Sequence, residues 1–173
     1  MNAVVENGVI QAFNVPEELF GYSYHSLMIP PYPVKTALFL GWGEGNVAWL
    51  MDKIWPVGTE MVGVDLKESQ SGRMPSIFFP YSAETFVKQS ETTYDFVCID
   101  LYKGKKIPDF VFEDEFIKNV ARITGKLLAI NYTFYGVKEL GGYGNYFIPD
   151  AIKSVNSDKV IFMVPKRIFE VKH

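Results

Sequence analysis

The sequence has few of the residues that build disulfides and metal centres. One cysteine, Cys98, and two histidines occur among its 173 residues. A single cysteine excludes an intramolecular disulfide and a multi-cysteine metal site, and two histidines are too few for a histidine-rich site. We therefore expect no resident metal. Cys98 lies in the apolar run 96–99, where a small side chain that fills core space is expected rather than a nucleophile.

Long apolar runs and an excess of positive charge are also missing. No run approaches the roughly 18 residues of a membrane-spanning helix, and the N-terminus lacks the basic-then-apolar pattern of a signal peptide. The net charge is −3. This charge disfavours nucleic acid as a partner, because domains that bind phosphate backbones usually carry a basic face. We expect a cytoplasmic protein with no membrane partner.

Apolar residues are plentiful and occur in alternating strand-like and helix-like segments. Hydrophobic residues form 48% of the chain, which suits one domain that buries about two-thirds of its unfolded surface. We predict strands near residues 37–40, 60–65, 76–79, 94–100 and 126–131, and helices near residues 46–54, 82–89, 113–123 and 146–155. The alternation predicts an α/β fold with a Rossmann-like, doubly wound, mostly parallel sheet.

The N-terminal part departs from this alternation. Asn7-Gly8 between two apolar flanks predicts a hairpin. The proline-rich residues 29–33 cannot continue a helix or a central strand. We therefore divide the chain into an N-terminal hairpin with its connecting segment, 1–33, and one Rossmann-like domain, 34–173.

The C-terminal part departs from it as well. Residues 159–171 read as two strands joined tightly at Pro165-Lys166. Such strands would add an antiparallel pair at one edge of the sheet. Pairing of two copies through this edge, and hence a homo-oligomer, stays open.

A glycine-rich turn follows the first predicted core strand. Residues 40–45 read Leu-Gly-Trp-Gly-Glu-Gly, with glycines at 41, 43 and 45 before a predicted helix. Glycine lets the backbone turn sharply and approach a ligand where a Cβ would clash. Asp65 ends the next strand, where an acid can accept hydrogen bonds from ribose hydroxyls. The pattern predicts a nucleoside-cofactor site. The alternative is a turn that only packs strand on helix.

Further polar residues follow the later strands. Because ligands of open α/β sheets bind beyond the carboxyl ends of the strands, Gly41, Asp65, Asp100 and Asn131 should converge on one rim. Asp100 is the candidate base, although strand-end aspartates equally often cap the amides of the next loop. Ser82 reads either as the N-cap of the following helix or as a contact to an adenine.

Taken together, these residues resemble the spermidine synthase-like branch of the class I S-adenosylmethionine-dependent methyltransferase fold, in a short form. The resemblance extends from about Phe20 to the end of the chain. Residues 20–28 are similar to the family's Tyr-His-Glu-Met segment, and residues 40–45 to its Gly-Gly-Gly-Asp-Gly-Gly loop. Residues 100–108 are similar to the Asp-x-Tyr/Phe-x-Gly-x-x-Ile-Pro run of its short relatives.

The resemblance implies a small-molecule cofactor, S-adenosylmethionine or its decarboxylated form, and an acceptor that it does not identify. Asp100 matches the first aspartate of the family's catalytic loop. The implied cofactor-binding residues are Gly41, Gly43, Glu44, Gly45, Asp65, Ser82 and Ala83. The implied substrate cleft contains Tyr24, His25, Tyr102 and Asn131. Within the cofactor set, Asp65 matches the ribose-binding acid and Glu44 keeps an acid that could attract the cofactor's ammonium group.

Two departures from the family pattern bear on the reaction. Lys103 replaces the second aspartate of the catalytic loop, and Ser26 replaces the glutamate beside His25. In spermidine synthases those acids help to hold a cationic diamine, and a lysine within ~4–6 Å would repel it. The family's N-terminal β-domain, which closes over the polyamine, is also reduced to a hairpin.

Three functions therefore stay open. We favour a methyltransferase on an unknown acceptor. The alternatives are an aminopropyltransferase that uses decarboxylated S-adenosylmethionine, and a non-catalytic nucleoside-binding or interaction module. An NAD-dependent dehydrogenase is disfavoured, because its glycine pattern requires a third glycine at position 46, where this chain has asparagine.

Overall fold

The computed structural model describes residues 2–6, 9–14, 24–69 and 72–170, with side chains from residue 24 onward. The strands are β1 (Asn2–Glu6), β2 (Val9–Asn14), β3 (Thr36–Leu40), β4 (Glu60–Val64), β5 (Ile77–Phe79), β6 (Tyr94–Ile99), β7 (Thr124–Asn131), β8 (Phe147–Val155) and β9 (Asp158–Pro165). The α-helices are α1 (Asn46–Ile54), α2 (Ala83–Gln89) and α3 (Asp114–Ile123). None of the described helices is long and apolar enough to cross a membrane.

The main sheet has seven strands in the order β5-β4-β3-β6-β7-β9-β8. Strands β3 to β7 run parallel to their neighbours, whereas β9 is antiparallel to both β7 and β8. This confirms the predicted mostly parallel α/β sheet with an antiparallel C-terminal pair. From β3 the chain winds outward through β4 and β5, and then returns to β6 on the other side of β3. The strand order therefore switches direction between β3 and β6, which is where open α/β sheets bind ligands.

Side chains of the central strands alternate between two apolar layers, because successive residues of a strand point to opposite faces. Leu38 and Leu40 of β3 join the layer that contains α2 and α3. Ala37 and Phe39 join the layer that contains α1. Cys98 is buried in this second layer, and burial raises the pKa of its thiol well above the ordinary value. The prediction that Cys98 fills core space is confirmed.

The N-terminal strands form a separate two-stranded sheet. Strands β1 and β2 pair antiparallel, with Glu6 opposite Val9. Asn7 and Gly8, on which the hairpin prediction rests, lie outside the described residues. The division of the chain at residue 33 stays a prediction.

The predicted helix at 146–155 is wrong, because this segment forms strand β8 at the edge of the sheet. Pro149 lacks the amide hydrogen that a helix interior needs, and it is tolerated at the sheet edge beside a register shift between Pro149 and Ala151. The exposed Ile148 and Ile152 suit an edge strand that is covered on one side only. Pairing with β9, rather than local periodicity, decides the structure here.

The predicted strand junction at Pro165-Lys166 is also wrong. The tight turn falls at Asn156-Ser157, between the paired residues Val155 and Asp158. Asn156 has a φ of 55°, in the left-handed region that asparagine tolerates better than most residues. Strand β9 then runs to Pro165 and is followed by a short 3-10 turn.

Candidate functional site

The glycine turn after β3 is held in a conformation that requires its glycines. The φ angles of Gly41, Gly43 and Gly45 are 90°, 55° and 72°. The amide of Gly41 donates to the carbonyl of Val64 at 2.8 Å. A Cβ on Gly41 would lie 2.2 Å from the carbonyl oxygen of Asp100. The turn therefore fits between the ends of β4 and β6 only because position 41 has no side chain.

Trp42 supports this turn from the core side. Its indole is buried and occupies space that the absent side chains of Gly45 and Gly63 leave open, since Cβ atoms there would lie 2.9 and 2.7 Å from the ring. Its Nε1–H donates to the carbonyl of Arg73 at 2.8 Å. Trp42 thus helps to set the shape of the turn.

Asp65 lies directly beside the glycine turn. Its Oδ2 accepts a hydrogen bond from the amide of Gly43 at 2.8 Å, and its Oδ1 accepts one from the amide of Lys67 at 3.4 Å. The side chain is only partly buried. One carboxylate therefore anchors the turn and remains accessible from the rim. Its role in binding a ribose stays a prediction.

Glu44 is tied to the segment that follows β4. Its side chain is buried, with 6% exposed, and its Oε2 accepts a hydrogen bond from the Ser69 hydroxyl at 3.2 Å. The glycine turn and the segment after Asp65 are thereby joined by side chains. An attraction of Glu44 for an ammonium group stays a prediction.

Ser82 is the N-cap of α2. Its Oγ accepts a hydrogen bond from the amide of Thr85 at 3.1 Å, and Ala83 is buried at the start of the helix. The N-cap interpretation is confirmed. A contact from Ser82 or Ala83 to an adenine stays a prediction.

Replacing Ser82 with alanine should therefore lower the free energy of unfolding by about 1 kcal/mol, because the Thr85 amide loses its acceptor. Ser82→Asp should restore most of this loss, since aspartate is an equally good N-cap. Chemical denaturation of the three proteins measures the effect. Equal stability of the wild type and the alanine variant would contradict the capping role.

Asp100 receives hydrogen bonds from two distant segments. The hydroxyl of Tyr24 donates to Oδ2 at 2.9 Å, and the Nδ2 of Asn131 donates to Oδ1 at 3.0 Å. The Asp100 amide donates to the carbonyl of Leu40 at 2.9 Å, which places the residue next to the glycine turn. The structure thus brings Gly41, Asp65, Asp100 and Asn131 to the same rim.

The environment of Asp100 suits a group that accepts a proton near neutral pH. Burial raises the pKa of its carboxyl to about 6, against the lowering effect of the hydrogen bonds from Tyr24 and Asn131. The negative charges of Asp65 and Asp158 raise the pKa further. At pH 7 the carboxylate is mostly ionised, and its pKa is close enough to the working pH for general base catalysis.

The segment around His25 contains Tyr24 and a buried histidine whose pKa is lowered. Residues Tyr24–Met28 form a 3-10 turn, in which the rings of Tyr24 and His25 stack at 4.0 Å. His25 is buried, and burial, followed by the charge of Arg73, lowers its pKa to about 4. Asn46 Nδ2 lies 3.4 Å from His25 Nε2, and Arg73 donates to the Asn46 Oδ1 at 2.6 Å. His25 is therefore neutral at pH 7.

Tyr102 lies near the candidate base. Its hydroxyl donates to the carbonyl of Asn131 at 3.3 Å, and burial together with the charge of Asp100 raises its pKa. Its ring meets that of Phe134 edge-on at 5.9 Å, and Phe134 is 55% exposed. This aromatic pair lies on the β6–β7 half of the rim, away from the glycine turn and Asp65.

Sequence reasoning missed two residues of this region, Asp158 and Thr133. Asp158 begins β9, so that its place near Asp100 depends on the hairpin between β8 and β9. Thr133 donates to the Oδ1 of Asn131 at 2.6 Å. The only sequence feature that could have indicated Thr133 is its position, two residues after the end of a strand. In the part of the chain that the structure describes, no cluster of three or more His, Cys, Asp or Glu side chains could hold a metal ion.

Solved structures with a similar fold decide what architecture this is. No protein-family model matches the sequence, and no curated protein matches it significantly. The spermidine synthase from Thermotoga maritima is 13% identical, with 82% of this chain and 59% of that chain aligned and a TM-score of 0.62. A methyltransferase from Geobacter sulfurreducens is 12% identical, with 76% and 71% aligned and a TM-score of 0.52. The chain has the class I methyltransferase fold.

The spermidine synthases that share this fold are longer proteins. A probable spermidine synthase from Corynebacterium glutamicum is 17% identical with a TM-score of 0.58, and the alignment covers 76% of this chain but 56% of that one. This chain thus spans little more than half the length of these two synthases. The likeness shows the class I methyltransferase fold, and the reaction has to be argued from the site.

Proposed function

We propose that this protein is an S-adenosylmethionine-dependent methyltransferase that acts on a nitrogen or oxygen atom of an acceptor yet to be identified. One observation carries the proposal. The glycine turn and Asp100 meet at the switch point between β3 and β6, where a Cβ on Gly41 would overlap the backbone of Asp100. A cofactor held by the turn would therefore lie beside the candidate base.

The cofactor would occupy the β3–β4–β5 half of the rim. The residues there suit a nucleoside that carries an amino acid tail. Asp65 presents an accessible carboxylate for ribose hydroxyls, and Glu44 supplies a second acid in the turn. Ser82 and Ala83 begin α2 next to the end of β5, where the adenine would lie. We assign these residues, with Gly41, Gly43 and Gly45, to cofactor binding.

The acceptor would occupy the β6–β7 half, which contains Asp100, Tyr24, Tyr102 and Asn131. S-adenosylmethionine supplies a methyl group on a positively charged sulfur. In the proposed reaction the acceptor atom forms a bond to the methyl carbon, and the carbon–sulfur bond breaks with its electron pair going to sulfur. The proton of the acceptor goes to a carboxylate oxygen of Asp100. Holding the reactants in line supplies of the order of 7–11 kcal/mol, so that few catalytic groups are needed.

The loop after Asp100 favours methyl transfer over aminopropyl transfer. Lys103 and Lys106 exchange backbone hydrogen bonds at 2.8 and 3.2 Å and close a tight turn with Gly104 at a φ of 67°. The lysines of this turn are exposed. The loop that follows the candidate base thus carries lysines and no second acid at position 103, which is poorly suited to a cationic diamine.

Aminopropyl transfer is the second candidate, because Tyr24 contacts Asp100 directly. This contact joins the two segments that resemble the substrate cleft and the catalytic loop of spermidine synthases. The same base would then accept a proton from an amine, and the cofactor would be decarboxylated S-adenosylmethionine.

Calorimetric titration distinguishes these candidates. The purified protein is titrated with S-adenosylmethionine, its decarboxylated form, S-adenosylhomocysteine and methylthioadenosine. Micromolar binding of the two carboxylated compounds supports methyl transfer. Preference for the decarboxylated form and methylthioadenosine supports aminopropyl transfer. Binding of none of them would overturn both and favour a non-catalytic module. A cytoplasmic location and the oligomeric state stay predictions.

The Asp65→Ala variant should bind S-adenosylhomocysteine more weakly by about 1.5–3 kcal/mol, which is the usual contribution of a charge-assisted hydrogen bond. Part of this loss would come from the Gly43 amide, which loses its acceptor. Asp150→Ala makes the same change of charge at an exposed position of edge strand β8, and it should leave the affinity unchanged. Equal affinities of the two variants would refute the ribose assignment.

A further inference from the structure

The side chain of Asn131 is enclosed and bonded on both sides. It is 4% exposed, although it ends a strand at the ligand-binding rim. Its Nδ2 donates to the Oδ1 of Asp100 at 3.0 Å. Its Oδ1 accepts from the amide of Thr133 at 3.2 Å and from the hydroxyl of Thr133 at 2.6 Å. Both ends of one amide group are thus occupied, one of them by the candidate base.

The hydroxyl of Thr133 has a defined direction as well. The backbone amide of Lys159, at the start of β9, donates to the Thr133 Oγ at 3.3 Å. An amide nitrogen can only donate, so that the hydroxyl hydrogen is free to point to the Asn131 oxygen. The donors therefore run in one direction, from Lys159 to Thr133, then to Asn131 and to Asp100.

This order determines which end of the Asn131 side chain faces Asp100. A flipped amide would place its oxygen against the Asp100 carboxylate and its NH₂ group against the Thr133 amide. The first contact would join two acceptors and the second two donors, and buried polar groups left without partners are costly. The Thr133 amide already disfavours the flip, and the Thr133 hydroxyl adds the shorter of the two bonds that hold the Asn131 oxygen away from Asp100.

We propose that Thr133 is a positioning residue, which fixes the Asn131 amide so that an N–H group holds one oxygen of the Asp100 carboxylate. Tyr24 holds the other oxygen at 2.9 Å. The plane of the carboxylate is thereby set from both sides. This role rests on the proposed function, in which Asp100 accepts the proton of the acceptor. The hydrogen-bond chain itself can be tested without cofactor or turnover.

The test is a titration of the Asp100 carboxyl by ¹³C NMR in the whole 173-residue chain. Thr133→Val keeps the size and the backbone amide but removes the hydroxyl, whereas Thr133→Ser keeps the hydroxyl. The valine variant should titrate about 0.5–1 pH unit above the wild type, because the bond from Asn131 is weakened. The serine variant should titrate like the wild type. A role in stability alone would change the unfolding midpoint and not this titration.

Asn131→Ala is the reference for complete loss of the donor. If it raises the Asp100 titration and Thr133→Val does not, Thr133 is not the positioning residue. If neither variant changes it, the bond from Asn131 is absent and the inference is overturned. In the wild type, the side-chain NH₂ signals of Asn131 should follow the Asp100 titration. This measurement tests the bond from Asn131 to Asp100 even if the valine variant does not fold, and signals that do not respond would overturn the inference.

A change in the pH profile then separates the two proposals. If the protein transfers methyl groups, the acid limb of the pH profile of kcat/KM should shift to higher pH in Thr133→Val. In Thr133→Ser it should lie at the wild-type pH. A protein that shows the NMR shifts but binds no S-adenosyl compound would retain the positioning chain while the methyltransferase proposal fails.

Discussion

The Gly41→Ala variant is expected to lose about 2–5 kcal/mol of unfolding free energy, a large share of the stability of an ordinary domain. Two costs add up at this position. An alanine at a φ of 90° is strained by roughly 1–2 kcal/mol. Its Cβ would also lie 2.2 Å from the carbonyl oxygen of Asp100. The two nearest atoms, the carbonyl oxygen and carbon of Asp100, belong to the backbone. Removing the clash therefore requires a shift of the turn or of the residues after β6, which costs a further ~1–3 kcal/mol.

Gly58→Ala separates these two costs. Gly58 has a similar φ of 73°, but a Cβ there would meet no atom within 4 Å. This variant should lose only the strain energy, about 1–2 kcal/mol. Guanidinium denaturation of the two variants and the wild type measures the difference. Equal losses would mean that the close approach of Gly41 to Asp100 does not contribute to stability, and the proposed contact of turn and base would lose its support.

The Asp100→Asn variant is expected to lose activity by about 10²–10⁴-fold while it retains cofactor binding. Asparagine has nearly the shape of aspartate and can still accept from Asn131, but it cannot take up the acceptor's proton. Initial rates at saturating cofactor, together with calorimetry using S-adenosylhomocysteine, measure the two effects. Full activity of this variant would remove Asp100 from the mechanism.

The same substitution should increase stability at neutral pH. The pKa of the Asp100 carboxyl is about 6 in the folded protein and near 3.8 in an unfolded chain. Between these values the folded protein binds more protons than the unfolded chain, so the contribution of Asp100 to the unfolding free energy falls as the pH rises. Above pH 6 the ionised group destabilises the fold by about 2–3 kcal/mol.

Comparing the stabilities of Asp100→Asn and the wild type at several pH values separates the effect of Asp100 from that of the other titrating groups. The stability of Asp100→Asn relative to the wild type should increase by about 2–3 kcal/mol between pH 4 and pH 7. Urea denaturation at several pH values provides the measurement. A stability difference that does not vary with pH would show that the folded-state pKa of Asp100 is close to its unfolded value. Loss of activity with a gain in stability is typical of a residue kept for function.

Much of the proposed cofactor half was predictable because its signals are local. A strand, a glycine turn and a helix follow one another within residues 36–54, and Asp65 directly follows the next strand. The carboxyl ends of parallel strands lie on one edge of a sheet, so that Asp65, Asp100 and Asn131 had to be neighbours once the strands were recognised. The N-cap at Ser82 depends on a pattern of four residues.

The C-terminal strands were misassigned for the opposite reason. Residues 146–155 can follow a helical pattern, and only their pairing with β9 makes them a strand. Because of this error, the hairpin turn was predicted at Pro165-Lys166, whereas the structure has it at Asn156-Ser157. The error also hid Asp158 and the bond from Lys159 to Thr133, because both depend on the pairing of β9 with β7 and β8.

By itself, the sequence determined the α/β class, the strand that leads into the glycine turn, and the strand ends that carry Asp65, Asp100 and Asn131. These features follow from local periodicity and from the conformational freedom of glycine. Only the tertiary structure decided what surrounds Asp100. Tyr24 reaches it from 76 residues away, and Asn131 from 31 residues away. The burial and hydrogen bonds that set its pKa come from segments that only folding brings together.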